Sequence, residues 1–88
     1  MLPAPRADAN GKSGADLASA PLGVPLRIAN LPGDPELRER LLALGLRAGE
    51  VVTVLRRGRP GGILHLAHGL TEFMLRRQQA AEIQVTRE

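Results

Sequence analysis

The residues that invite a chemical reading are glycines set beside arginines, and two histidines. In RLLALGLRAGEVVTVL, Arg40 to Leu55, Gly45 and Gly49 flank Arg47. Glycine next to positive charge is what a backbone cradle for phosphate needs. A P-loop takes four residues between its glycines and then Lys and Ser or Thr, whereas three separate Gly45 from Gly49 and Glu50 follows. A phosphate cradle also precedes a helix, so that the helix N-terminus meets the anion, and Gly45 follows the leucine-rich run. The two glycines therefore read as a joint, using glycine's tolerance of left-handed backbone. Downstream, GRPG from Gly58 to Gly61 matches the GXXG of KH domains in letters only. There the loop clamps an RNA backbone; here it falls between two strand-like runs and reads as a hairpin tip.

His65 and His68 are weak metal-ligand candidates. Residues three apart on one strand point to opposite faces, so the two cannot close on one ion without a bulge. Glu72, beyond the next turn, is placed to help His68 alone, which leaves too few ligands for a closed site. No Ser/His/Asp or paired-carboxylate constellation is present to support catalysis. We expect no enzyme, no metal centre and no cofactor.

The elements that must position these residues follow from periodicity. Residues 1–15, MLPAPRADANGKSGA, carry no apolar period and read as a flexible tail ahead of a domain spanning 16–88. Leu22, Val24, Leu26 and Ile28 alternate at period two, as in a half-buried strand. Pro25 cannot donate to a ladder, so this strand either lies at an edge, where two chains can pair, or begins after the proline. PGDPELRERLLALG is the clearest helix, over about 35–44, with Asp34 as N-cap, Pro35 at the first position and Gly45 past the end. Leu37, Leu41 and Leu44 share one face and are expected in the core. Beyond Gly49 the period becomes alternating: Glu50 to Leu55, Gly62 to His68, Leu70 to Arg76 and Ile83 to Thr86 read as strands, with Gly69 turning between two of them. Leu75 and Phe73 should share a face. About five short strands with one helix inserted after the first predict a mainly β protein, a small antiparallel barrel.

Composition narrows the function classes. A chain of 88 residues makes one small domain, and domains of that size bury too little for a deep internal active site. With no cysteine there is no disulfide framework, thiolate zinc site or cysteine nucleophile, which suits a reducing cytosol. No apolar run reaches the roughly 20 residues that cross a membrane. A net charge of +3, with 11 of 12 basic residues arginine, does not by itself indicate nucleic acid. Phe73 is the sole aromatic residue, which counts against single-strand nucleic-acid binding by base stacking.

The order Arg40, Leu41, Leu44, Gly45, Gly49, Val52, Val54, Pro60, Gly69, Leu75, Arg76, Ala81, Ile83 and Val85, with Leu17 and Gly23 ahead of it, resembles the FeoA family of bacterial ferrous iron transport proteins. The resemblance runs from about Asp16 to Arg87. It implies an SH3-like β-barrel in the cytoplasm. The implied function is a non-enzymatic accessory or regulatory module acting with FeoB, the membrane ferrous iron transporter that carries a GTP-binding domain. A similar barrel closes the DtxR-type metal-dependent repressors. This leaves an alternative, a nucleic-acid-associated or repressor-type barrel, although the helix-turn-helix of such repressors is missing here.

Gly45, Gly49, Gly69, Leu41 and Leu75 are then structural. For partner contact the candidates are Leu42 and Leu46 and the arginines Arg56, Arg57 and Arg59. Leu42 lies about 100° from the Leu37–Leu41 stripe; either it is wrapped into the core, or with Leu46 it forms an exposed apolar patch. The three arginines either solvate a hairpin tip or steer an acidic surface, since guanidinium forks pair well with carboxylate and phosphate.

Overall fold

The computed structural model describes residues 15–59 and 62–87. The expected tail, 1–15, lies outside these residues apart from Ala15, as do Pro60 and Gly61 of the hairpin tip. In chain order the elements are β1 (Ala15–Asp16), a 3-10 turn (Leu17–Ser19), β2 (Pro25–Asn30), α1 (Pro35–Ala43), β3 (Val51–Arg57), β4 (Ile63–His68), β5 (Thr71–Arg76), α2 (Arg77–Ala80) and β6 (Gln84–Arg87). The six strands form one antiparallel sheet in the order β1-β6-β2-β3-β4-β5. The sheet is curled rather than closed: no ladder joins β5 to β1 among the described residues. The 3-10 turn after β1 instead packs on α2, which follows β5.

Period-two alternation fixes which face is buried. Leu26 and Ile28 of β2, Val52 and Val54 of β3, Leu64 and Leu66 of β4, Leu75 of β5 and Val85 of β6 all point into one core, as the pleat requires. Phe73 packs against the same core. No buried polar or charged side chain occurs among the described residues, so hydrophobic burial dominates the stability. Pro25 opens β2 opposite Thr53, where a missing N–H does least harm. That strand is interior, flanked by β6 and β3, so the edge and the chain pairing expected near Pro25 are not there. The exposed ladder ends are β1 and β5.

The helix forms for the reasons its sequence gives. Asp34 Oδ2 accepts from the Leu37 amide at 3.0 Å, and Pro35 stands at the first position. Leu37 and Leu41 are buried beneath it. Leu44, expected beside them, is 41% exposed, and its place in the core is taken by Leu46 at 1%. The cause is the helix exit. Gly45 takes φ +87°, its amide donates to Leu42 O at 2.9 Å, and the Leu46 amide reaches back to Leu41 O at 2.9 Å. This pair of bonds is a Schellman motif, whose usual apolar contact lies between the residue after the glycine and the one five back. Leu46 therefore folds inward against Leu41, and Leu44 is left facing out.

Candidate functional site

The second glycine completes the joint. Arg47 to Glu50 make a turn in which the Glu50 amide donates to Arg47 O at 3.0 Å. Gly49, at φ +97°, fills the position where a type II turn requires a left-handed residue. Its amide donates to Ile28 O and the Ile28 amide to Glu50 O, both at 2.8 Å, while Arg27 Nη1 donates to Gly49 O at 2.7 Å. Both glycine amides of the joint are thus taken, Gly45 by the helix end and Gly49 by β2, and neither is free for an anion.

A side chain from β4 sits on this joint. His68 Nε2 lies 2.8 Å from Glu50 Oε1, with the imidazole 21% and the carboxylate 46% exposed. A Cβ added to Gly45 would meet His68 Cε1 at 3.4 Å, so the ring fits closely over the helix exit. The hydrogen bond from His68 holds the Glu50 carboxyl below its usual pKa, helped by the charges of His68, Arg47 and Arg27 and opposed by partial desolvation. The carboxylate beside His68 is therefore Glu50 and not Glu72, which stands opposite Ala67. His65 pairs with Met74 and with Arg56, and no three His, Asp or Glu side chains converge among the described residues.

The arginines separate in the same way. β3 bulges between Val54 and Arg56, which shifts the register so that Arg56 stands opposite His65 and Arg57 opposite the buried Leu64. Arg56 faces solvent. Arg57 instead turns over the end of the sheet, where Nε donates to Ala18 O at 3.0 Å and Nη2 donates to Ala20 O. It ties the 3-10 turn to β3 and is not a free cation at a hairpin tip. Arg59, with Arg57, Gly58, Gly62, Leu64 and Arg77, lines a groove of 420 Å³. Arg77 continues into a second hollow of 350 Å³ beside Ser19, Arg76, Gln78 and Asp16, whose carboxylate accepts from Ser19. This end of the molecule thus gathers Arg59, Arg76 and Arg77 at one open, basic surface, chemistry suited to carboxylates or phosphates. Arg76 and Arg77 join it because α2 returns past the hairpin, where the Arg77 amide donates to Gly62 O at 3.2 Å.

Of the two leucines expected on a contact surface, Leu42 is 43% exposed while Leu46 is buried. The apolar surface of the helix is Leu42 with Leu44. The family model of the FeoA domain matches residues 16–87 of the chain. The chain belongs to the FeoA family. That family is linked to ferrous iron transport as an accessory component. No curated protein matches the chain. Among solved structures it is similar to FeoA of Stenotrophomonas maltophilia, with 27% identity over 81% of this chain and 88% of the other at a TM-score of 0.71. That protein was crystallised with zinc and is described as a prokaryotic SH3 domain protein with a suggested role in activating ferrous iron transport. Iron(II) transport protein A of Clostridium thermocellum is 29% identical over 82% of this chain and 44% of its own, TM-score 0.75. A manganese-dependent transcriptional repressor shares the fold at 20% identity, over 85% of this chain and 42% of its own, TM-score 0.77. The fold is therefore the SH3-like architecture of FeoA. Among the described residues no helix is long and apolar enough to cross a membrane.

Proposed function

We propose that this FeoA-family chain is a non-enzymatic accessory module of ferrous iron uptake that binds the cytoplasmic part of a FeoB-type GTP-binding iron transporter. The observation that carries the reading is the family match, which spans the whole described domain. The chemistry of the surface supports it: Arg56, Arg59 and Arg77 offer guanidinium groups to an acidic partner, and Leu42 with Leu44 offers an apolar anchor. The protein acts in the cytoplasm, at the inner membrane face through its partner, with residues 1–15 as a tail to the domain.

Binding of the purified protein to the cytoplasmic domains of its own organism's FeoB, in the nucleotide-free and GTP-bound states, tests this. Absence of binding in both states overturns it. Leu42→Gln and Arg56→Glu/Arg59→Glu alter exposed side chains, so loss of binding with an unchanged thermal transition assigns the contact to helix or hairpin. Arg57 is unsuited to that test because its substitution loosens the fold itself.

The fold shared with the manganese-dependent repressor favours one second reading, a barrel associated with nucleic acid. It requires binding whose affinity falls steeply with salt, and a flat gel-shift titration at low salt removes it.

A further inference from the structure

The two ends of the sheet differ in kind. β1 has only two residues, whereas β5 presents six, Thr71–Arg76, along a side that meets no strand among the described residues. β4 and β5 are joined by the two-residue turn Gly69–Leu70, with His68 opposite Thr71. Residues flanking such a turn form a hydrogen-bonded pair, and bonding alternates along the strand from there. Thr71, Phe73 and Leu75 thus direct their amides and carbonyls to β4, while Glu72, Met74 and Arg76 direct theirs to the open edge. The Arg76 amide accordingly bonds Gln79 Oε1, at 3.0 Å, and not β4. The same three residues carry exposed side chains on the outer face, Met74 at 58%.

We propose that β5 pairs with β5 of a second copy of this chain, antiparallel, about a two-fold axis through Met74. The charges single out this arrangement. Centred on Met74, the pairing sets each methionine against its twin, Glu72 against Arg76 of the partner subunit, and Arg76 against Glu72 of the partner subunit. A shift by two residues either way leaves Glu72 or Arg76 opposite Met74, and a parallel in-register pairing puts glutamate against glutamate. The shifted registers give up both opposite-charge pairs, and the parallel one sets like charges opposite, which destabilises a ladder. The backbone groups agree with the charges. The Met74 pair exchanges two N–H···O bonds, and each Glu72 amide donates to the Arg76 carbonyl of the partner subunit. The Arg76 amides stay on Gln79, where α2 leaves the sheet and the ladder ends. Local charge at the seam cancels, although each chain carries +3. The interface is isologous, as closed two-fold dimers require, and it covers the longer of the two open edges.

The absence of cysteine makes the register readable. In a hydrogen-bonded antiparallel pair the Cα atoms lie about 5.5 Å apart, within disulfide reach. Met74→Cys is expected to form a covalent dimer under mild oxidation, faster than Leu70→Cys, whose side chain is fully exposed at the turn. Glu72→Cys mixed with Arg76→Cys should also cross-link, and neither should alone. By sedimentation equilibrium, Glu72→Arg or Arg76→Glu alone should weaken self-association about tenfold, since two favourable pairs become two repulsive ones, and the double exchange should restore it. The proposal is overturned if the native chain stays monomeric at millimolar concentration, or if Met74→Cys cross-links no faster than Leu70→Cys. It also fails if the double exchange, with an unaltered circular dichroism spectrum and melting temperature, does not restore association.

Discussion

Two short regions of this chain look alike as text and do opposite things. Gly45 to Glu50 and Arg57 to Gly62 both set glycines around an arginine. In the first, the glycines matter for their own backbone, at φ +87° and +97°, and turn the chain from helix to strand while burying Leu46. In the second, an arginine ahead of the glycines matters: Arg57 holds the carbonyls of Ala18 and Ala20, while Gly58 and Gly62 make room for close backbone approach. The difference teaches that glycine beside positive charge is a statement about chain direction until the backbone donors are accounted for. In the joint the amides of Gly45, Leu46, Gly49 and Glu50 are occupied by the Leu42, Leu41, Ile28 and Arg47 carbonyls, so neither glycine amide is left for an anion.

The sharpest way to break the comparison is through the leucines that the joint sorts. Leu46→Ala removes a side chain that is 1% exposed and should cost about 2–5 kcal/mol. Leu42→Ala and Leu44→Ala, at 43% and 41% exposure, should each stay within about 0.5 kcal/mol. Urea unfolding of the three variants measures this, and comparable losses at all three would show that the glycine exit does not decide which leucine is core.

Next in size are the glycines themselves, which fail by different means. Gly49→Ala forces a Cβ into a left-handed residue with open space around it, a strain of about 1–2 kcal/mol. At Gly62 the obstacle is contact: a Cβ would stand 2.6 Å from Arg59 O, so the hairpin backbone has to move, at about 1–3 kcal/mol. Asparagine, which tolerates left-handed backbone, should recover part of the loss at Gly49 and none at Gly62. Melting temperatures of Gly49→Asn and Gly62→Asn against the alanine variants separate the two causes.

The arginines come third. Arg57→Ala leaves the carbonyls of Ala18 and Ala20 without their partner and should cost about 1–2 kcal/mol. Arg56→Ala, beside it in sequence and facing solvent, should be near neutral. Hydrogen exchange at the 3-10 turn, Leu17–Ser19, should quicken in the first variant and not in the second.

How much of this was legible beforehand depends on the range of the interaction. The cap at Asp34, the proline at the helix start and the alternation of Leu26 with Ile28 are local rules, and the elements they imply are present. The class of fold followed from those elements in order. Helical spacing alone puts Leu44 in the core because it knows nothing of where the helix stops; the Schellman turn, signalled by Gly45, puts Leu46 there instead. Arg57 could not be told from Arg56, since a one-residue bulge at Leu55 decides which of them turns inward. Its acceptors lie 37 and 39 positions away. The same holds for His68 and Glu50, 18 positions apart, which meet only because β4 lies against β3.

That pair supplies the smallest effect. Glu50 has a lowered pKa in the folded chain, first because His68 hydrogen-bonds its carboxylate. A carboxyl that is more acidic when folded stabilises the fold above its unfolded pKa, and the contribution disappears as the pH falls through the folded value. The native protein should therefore lose stability relative to Glu50→Gln on going from neutral pH into the acid range below that of ordinary glutamates, and the two melting curves should converge there. Because the carboxylate is solvent-exposed, added salt should shrink the difference at neutral pH. A gap between the two proteins that is unchanged by pH would mean that Glu50 serves the joint through its backbone turn alone. The imidazole would then be held by its fit over Gly45 rather than by charge.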